Sequence, residues 1–166
     1  MITLTVGDLY DRCVQYYGDR TALTFKNQSY TYREMGYRAG CLVTALDKLG
    51  LKKGDNIGFL MANCPEYIFC EYAVAKLGAT RVPLAVLLNP EDHIYMLNLV
   101  ESTTLIYHEK LADRIKGMMP ELKTVSHYIC VADDPSSVME GHYHLQTLIK
   151  ENEPSDISVE IDSEDL

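Results

Sequence analysis

Apolar residues recur at helical spacing in two stretches near the start of the chain. Val6, Leu9, Tyr10, Cys13, Val14 and Tyr17 fall on one helical face, and so do Met35, Ala39, Leu42, Val43, Leu46 and Leu49. Residues 64–77 are apolar on more than one side, which predicts a more deeply buried helix. Between the helical stretches lie short apolar runs: Ile57-Gly58-Phe59-Leu60-Met61, Thr80-Arg81-Val82-Pro83-Leu84, Thr104-Leu105-Ile106-Tyr107 and His127-Tyr128-Ile129-Cys130-Val131. These runs do not alternate with polar residues, as expected for strands of a parallel sheet covered on both faces. Segments 22–25 and 29–32 flank Lys26-Asn27-Gln28 and predict a hairpin.

Helix starts can be read from capping pairs. Thr5, Thr31, Asn63 and Asn89 each precede an acid by three residues (Asp8, Glu34, Glu66 and Asp92), the spacing of a reciprocal capping box. Pro65 and Pro90 lie in first turns, where a missing N–H costs nothing. Gly18, Gly50 and Gly78 stand at far ends as expected C-caps. Strands alternating with helices over short links define an α/β chain. The expected fold is an open, mostly parallel sheet flanked by helices, with right-handed crossovers and an N-terminal β-hairpin.

A chain of 166 residues is long enough for one domain with its own core, and 47% hydrophobic with 23% charged residues is ordinary for a soluble protein. No run approaches the ~18 apolar residues of a membrane span, and Met1-Ile2-Thr3-Leu4 lacks the basic and apolar parts of a secretory signal. A cytoplasmic location follows as the expectation. It agrees with five cysteines (Cys13, Cys41, Cys64, Cys70 and Cys130), an odd number without Cys-x-x-Cys spacing, read as buried free thiols.

The net charge of −9 becomes informative once it is located. Residues 1–132 hold fourteen acids and fourteen bases, whereas residues 133–166 hold ten acids and a single base, Lys150. The expected organisation is therefore a neutral folded body, 1–132, followed by an acidic connecting segment, 133–166, whose end reads as a solvated linker. No basic patch is concentrated anywhere, which argues against nucleic acid as a partner.

Several ordered strings resemble the AMP-forming acyl-CoA synthetases of the adenylate-forming superfamily. They are Gly18-Asp19-Arg20-Thr21-Ala22-Leu23, Tyr30-Thr31-Tyr32-Arg33-Glu34-Met35, and Leu49-Gly50-Leu51-Lys52-Lys53-Gly54-Asp55. Asn63-Cys64-Pro65-Glu66-Tyr67 is similar to the family's Asn-Ser-Pro-Glu-Phe. Ala75-Lys76-Leu77-Gly78-Ala79 with Val82-Pro83-Leu84 is similar to its Leu-Gly-Ala…Val-Pro-Leu signature. Asp162-Ser163-Glu164-Asp165-Leu166 resembles the segment leading into the family's phosphate loop. Two departures stand out: Ala85-Val86 where the family continues Asn-Pro, and Val100-Glu101-Ser102 where it has Ser-Gly-Ala.

The resemblance implies the N-terminal subdomain of a two-step acid–thiol ligase. A carboxylate and Mg-ATP give an acyl-adenylate and pyrophosphate, and a thiol such as coenzyme A then displaces AMP. ATP, Mg2+ and CoA are implied for the intact enzyme, and none is expected to bind this chain. The first step needs backbone N–H groups in a Gly/Ser/Thr-rich loop and a lysine. Residues 1–166 contain neither Gly-x-x-x-x-Gly-Lys-Ser/Thr nor Gly-x-Gly-x-x-Gly. No catalytic, cofactor-binding or metal residue is assigned here, and the chain alone is expected to be inactive. Its expected partner is the remainder of the synthetase, with self-association through exposed core faces.

Asn63, Tyr67, Tyr72, Leu87 and Leu88 are candidate borders of an acyl pocket, set against helix capping and packing as the plainer roles. His142-Tyr143-His144 could present two imidazoles to a metal but lacks nearby ligands, so surface histidines are the simpler reading. His93 and His108 read as structural or surface residues. An alternative to the synthetase is a stand-alone, non-catalytic binding module that retains the fold. An unrelated nucleotide-binding α/β domain would need a glycine fingerprint after 57–61, which is absent.

Overall fold

The computed structural model describes residues 5–154 and 159–161. The start of the chain and the Asp162–Leu166 string, on which part of the resemblance rests, lie outside them. The chain divides into two compact units, one from residues 1–54, 64–80 and 149–166, the other from 55–63 and 81–148.

The first unit is built on three helices, α1 (Val6–Tyr17), α2 (Tyr32–Lys48) and α3 (Pro65–Lys76); α2 packs on α3, and α1 on both. Both threonine capping boxes form. The Asp8 N–H donates to Thr5 Oγ1 at 3.1 Å while the Thr5 N–H donates to the Asp8 carboxylate at 2.9 Å, and Thr31 and Glu34 do the same at 3.1 and 2.8 Å. These backbone donors hold both carboxyls below their ordinary range.

Gly50 and Gly78 end α2 and α3 with positive φ, +87° and +65°. In each case the glycine N–H and the next N–H bond back to the last turn, Gly50 to Asp47 O and Leu51 to Leu46 O, Gly78 to Ala75 O and Ala79 to Val74 O. This paired pattern needs a left-handed residue at its centre.

Gly18 is the C-cap of α1 as expected but with a different geometry, and two capping expectations are corrected. Gly18 ends α1 in right-handed geometry, φ −43°; a Cβ there would lie 2.9 Å from Val14 O, so small size rather than chirality calls for glycine. Asn63 does not cap α3. The residue before a proline is driven to extended backbone, so Cys64, at φ −153° and ψ 162°, becomes the N-cap. Asn89 does occupy the N-cap of the helix starting at Pro90, but its side chain makes no capping hydrogen bond.

Met35, Ala39, Leu42, Val43 and Leu46 of α2 are buried, together with Cys41 and Ala45. On α1 the packing face is offset from the centre of the apolar stripe: Gly7 is buried and Tyr10, Cys13 and Val14 are half-buried, whereas Val6, Leu9 and Tyr17 are exposed. Gly7 packs on α3, where a Cβ would make ordinary contact with Ala75 O at 3.5 Å. Strands β1 (Thr21–Phe25) and β2 (Gln28–Thr31) form the expected antiparallel hairpin, turning at Lys26 with φ +53°.

Residues of the acidic segment run along α2. Lys48 Nζ donates to Asn152 Oδ1 at 2.7 Å, Thr44 Oγ1 to Glu153 O at 2.8 Å, and Lys53 Nζ to Glu160 O at 2.9 Å. Pro154 lies against Gly40, where a Cβ would come within 2.7 Å of it.

The second unit holds a five-stranded sheet in the order β4 (Thr80–Pro83), β3 (Asn56–Leu60), β5 (Thr104–His108), β6 (His127–Val131), β7 (Tyr143–His144). The β3–β5, β5–β6 and β6–β7 pairs are parallel. On one face Leu60, Leu105, Tyr107, Tyr128 and Cys130 pack with Leu97 of α4 (Pro90–Leu99) and with Ile115 and Met118 of α5 (Ala112–Met118). In β3, β5 and β6 the alternate residues Ile57, Phe59, Ile106, Ile129 and Val131 are buried as well, which explains the absence of polar alternation there; edge strand β4, expected to be apolar on both faces, instead exposes Arg81 and Pro83. Three elements had no strong sequence signal: α5, β7 and α6 (Leu145–Lys150), the last two inside the acidic segment. Among the described residues no helix is long and apolar enough to cross a membrane.

Candidate functional site

The five candidate border residues are not brought together within one unit. Tyr67 and Tyr72 belong to the first unit, Asn63, Leu87 and Leu88 to the second. On α3, Tyr67 and Tyr72 are five residues apart, about 140° around the helix. Tyr72 is buried, 2% exposed. Its ring stacks on Tyr10 with centroids 4.5 Å apart, and its hydroxyl donates to Asp11, which also pairs with Lys76 Nζ at 3.0 Å. Burial, with the Asp11 charge beside it, pushes the Tyr72 hydroxyl pKa far upward, so it remains a donor. Tyr67 is half-buried in the first turn of α3, and Asn63 is exposed beyond the carboxyl end of β3.

Leu87 and Leu88 sit on a turn between β4 and α4. The chain leaves β4 through Leu84, whose N–H donates to Phe59 O at 2.9 Å. It then turns at 85–88, closed by Leu88 N–H to Ala85 O at 3.1 Å. Two side chains reach in to the turn's carbonyls. His93 Nε2 lies 2.9 Å from Ala85 O. Arg114 Nη1 of α5 donates to Val86 O at 2.8 Å and to Leu88 O at 3.3 Å. A carbonyl only accepts, so the His93 proton on this contact sits on Nε2. His93 is fully buried, and its Nδ1 has no hydrogen-bond partner among the described residues. Leu87, by contrast, is 98% exposed and Leu88 is 38% exposed.

The carboxyl ends of β5 and β6, where ligands collect in open α/β sheets, carry acids. Ser137 Oγ joins the Glu109 carboxylate to Asp134 O, at 2.7 Å each. The Ser136 N–H, 2.8 Å from Asp134 Oδ1, holds the Asp134 carboxyl below its usual range and therefore ionised.

The histidine pair is engaged in packing. His144 bonds Ala132 O at 3.0 Å and Thr147 Oγ1 at 2.8 Å through its two ring nitrogens. His142 stacks on Tyr128 at 4.7 Å and accepts from or donates to Tyr107 OH at 2.8 Å. His108 Nδ1 caps the short turn that follows β5 by accepting from Lys110 N–H at 3.3 Å. Among the described residues no cluster of three or more His, Cys, Asp or Glu could hold a metal.

All five cysteines are free thiols; Cys41, Cys70 and Cys130 are buried, whereas Cys13 and Cys64 are half-buried. Burial pushes the Cys64 thiol up to about 11 and raises Cys41, Cys70 and Cys130 too, so none of these four is a nucleophilic thiolate at neutral pH.

The fold and site together define an α/β scaffold: a parallel sheet flanked by helices, with an apolar turn displayed at one edge. The chain belongs to the AMP-binding enzyme family, whose sequence profile matches residues 10–166. It is 28% identical over 145 residues to a crotonobetaine/carnitine–CoA ligase of Salmonella arizonae, and 26% identical over 155 residues to the ligase of that name in Citrobacter koseri. These alignments cover 84% and 89% of this chain but only 28% and 29% of those proteins. In fold it is similar to an anthranilate CoA ligase in complex with anthranoyl-AMP, with a TM-score of 0.92 at 23% identity, over 99% of this chain and 31% of that one. A benzoate CoA ligase from Burkholderia xenovorans matches with a TM-score of 0.85 at 20% identity, over 98% of this chain and 32% of that one.

Proposed function

We propose that these residues form the N-terminal scaffold of an ATP-dependent, AMP-forming acid–thiol ligase that converts a carboxylic acid and CoA to an acyl-CoA. The family match over 10–166 carries this reading. The names of the two curated relatives support a CoA ligase, and both extend well beyond the matched region. In this account 1–132 forms most of the folded body, β7 and α6 complete it, and 133–166 as a whole leads on toward the phosphate loop. ATP, Mg2+ and CoA are handled by other parts of the ligase, and the remainder of that ligase is the partner. Asn63, Tyr67, Tyr72, Leu87 and Leu88 remain the candidate borders of an acyl pocket, with Leu87 almost wholly exposed. Without the remainder, apolar side chains such as Val6, Leu9, Tyr95 and Leu99 stay exposed and favour self-association.

The test is the coding sequence beyond codon 166. Continuation in frame into a Thr/Ser/Gly-rich loop ending in lysine is the expected result. A stop codon there would overturn the ligase assignment and leave a non-catalytic binding module as the function.

A further inference from the structure

The acidic end of the chain carries a second pattern beneath its charge. Ile157, Val159 and Ile161 alternate with Ser158, Glu160 and Asp162, the period of an extended segment with one face turned inward. Where this stretch is described, Val159 and Ile161 are half-buried and Glu160 is exposed. A solvated linker has no use for that alternation.

Residues 151–154 lie on a side of α2 that its core does not use. At about 100° per residue, Tyr37, Gly40, Thr44 and Lys48 share a stripe opposite Met35, Ala39, Leu42, Val43 and Leu46. Gly40 is buried on that outer stripe. A Cβ there would stand 2.7 Å from Pro154 Cβ and 3.4 Å from Pro154 Cα. On either side of this notch Thr44 Oγ1 donates to Glu153 O and Lys48 Nζ to Asn152 Oδ1, while Tyr37 OH donates to Glu153 Oε2 at 3.2 Å. A second anchor lies further along the chain. Lys53 Nζ donates to Glu160 O, and Ile161 Cγ1 lies 3.2 Å from where a Cβ on Gly78 would stand. The Gly54 N–H donates to Gly78 O at 2.9 Å, so the connector after α2, the end of α3 and the acidic segment meet there. Three of these four side-chain hydrogen bonds go to a backbone carbonyl or an amide, although acids stand at 151, 153 and 160.

We propose that residues 151–154 and 159–161 form a strap docked on the outer stripe of α2 and on the Lys53–Gly78 junction, recognised by shape and by neutral acceptors rather than by its charges, and that this docking surface fixes where the chain leaves the unit. Pro154 fills the notch left by Gly40, the alternate apolar residues face inward, and the acids stay in water. The strap stands apart from the ligase reading, because it needs no substrate and is measured in the 166-residue chain itself.

Backbone amide NMR relaxation of that chain tests it. Order parameters at Asn152, Glu153, Val159, Glu160 and Ile161 should match those of α2, about 0.85. They should stay there in about 1 M NaCl, where the screening length is about 3 Å. A variant combining Glu151→Gln, Glu153→Gln and Glu160→Gln should leave them unchanged. Val159→Ser with Ile161→Ser should lower residues 159–161 below about 0.6, and Gly40→Ala should do the same to Asn152 and Glu153. In both variants α2 should keep its own values, which separates release of the strap from unfolding. Wild-type values below about 0.6 would overturn the strap and restore a solvated linker. Order lost in salt or in the glutamine variant would overturn recognition by shape, leaving a segment held by charge. Serine and Gly40→Ala variants as ordered as the wild type would overturn the docking surface.

Discussion

Glu101 occupies a backbone position that favours glycine, and replacing it with glycine should stabilise the protein. It follows the C-cap of α4 with φ +51°, and the adjoining bonds, Glu101 N–H to Asn98 O and Ser102 N–H to Leu97 O, are those of the glycine-ended helices α2 and α3. A left-handed backbone costs a residue with a Cβ about 1–2 kcal/mol. Glycine returns roughly 0.5–1 kcal/mol of that through the greater freedom it loses on folding. The net gain for Glu101→Gly is about 0.5–1 kcal/mol, which for a chain of this size raises Tm by about 1–4 °C. Glu101 also places a negative charge at the negative end of a helix dipole, and α4 has no base in its last turn. Glu101→Ala isolates that contribution, because alanine removes the charge and keeps the strained backbone. Thermal and urea unfolding of the three proteins measures both effects, with Glu101→Gly expected to be the most stable. If Glu101→Ala equals Glu101→Gly, the backbone argument is wrong. If neither exceeds the wild type, the position is not strained.

Asp11→Ala should destabilise by about 2 kcal/mol, because the buried Tyr72 hydroxyl loses a charged acceptor; the half-exposed Lys76 pair adds little. A double-mutant cycle with Tyr72→Phe in urea should recover most of that as coupling. Gly40→Ala puts a methyl group where Pro154 now rests, so proteolysis near residues 151–154 should quicken while the helical circular dichroism of α2 is kept. Burial lowers the His142 pKa from its ordinary 6.5. Below that value the unfolded chain binds a proton that the native ring resists, so stability falls as pH drops through about 6.5 and is retained above it. His142→Phe should flatten that part of the unfolding profile, and an unchanged slope would remove the histidine from the account.

Much of the fold was legible because local chemistry and tertiary packing agree. The Thr5 and Thr31 boxes, the glycines after α2 and α3, and the four long apolar strands each have a strong short-range signal, and each formed. Failures came where a neighbour decided the outcome. Pro65 moved the α3 cap from Asn63 to Cys64, and on α1 the buried Gly7 joins only part of the apolar stripe, leaving Val6, Leu9 and Tyr17 exposed. Short α5 and two-residue β7 lacked enough periodicity to be seen, and α6 was hidden by the acids around it. At the candidate site, Leu87 and Leu88 were visible as an apolar pair in a loop. Their clamp was not, because it joins residues 85–88 to Arg114 across an intervening helix and strand. Only the isolated His93, in the first turn of an apolar helix, marked one end of it in the sequence.

The proposed role assigns scaffold to residues 1–166 and the adenylation chemistry to other parts of the ligase. Pyrophosphate release from Mg-ATP tests it most directly, with the purified 166-residue chain and a panel of short, long and aromatic carboxylic acids. No release above the enzyme-free background is expected with any acid, and acid-dependent release is expected when the same residues are part of the whole ligase. Acid-dependent release from the 166-residue chain alone would contradict it.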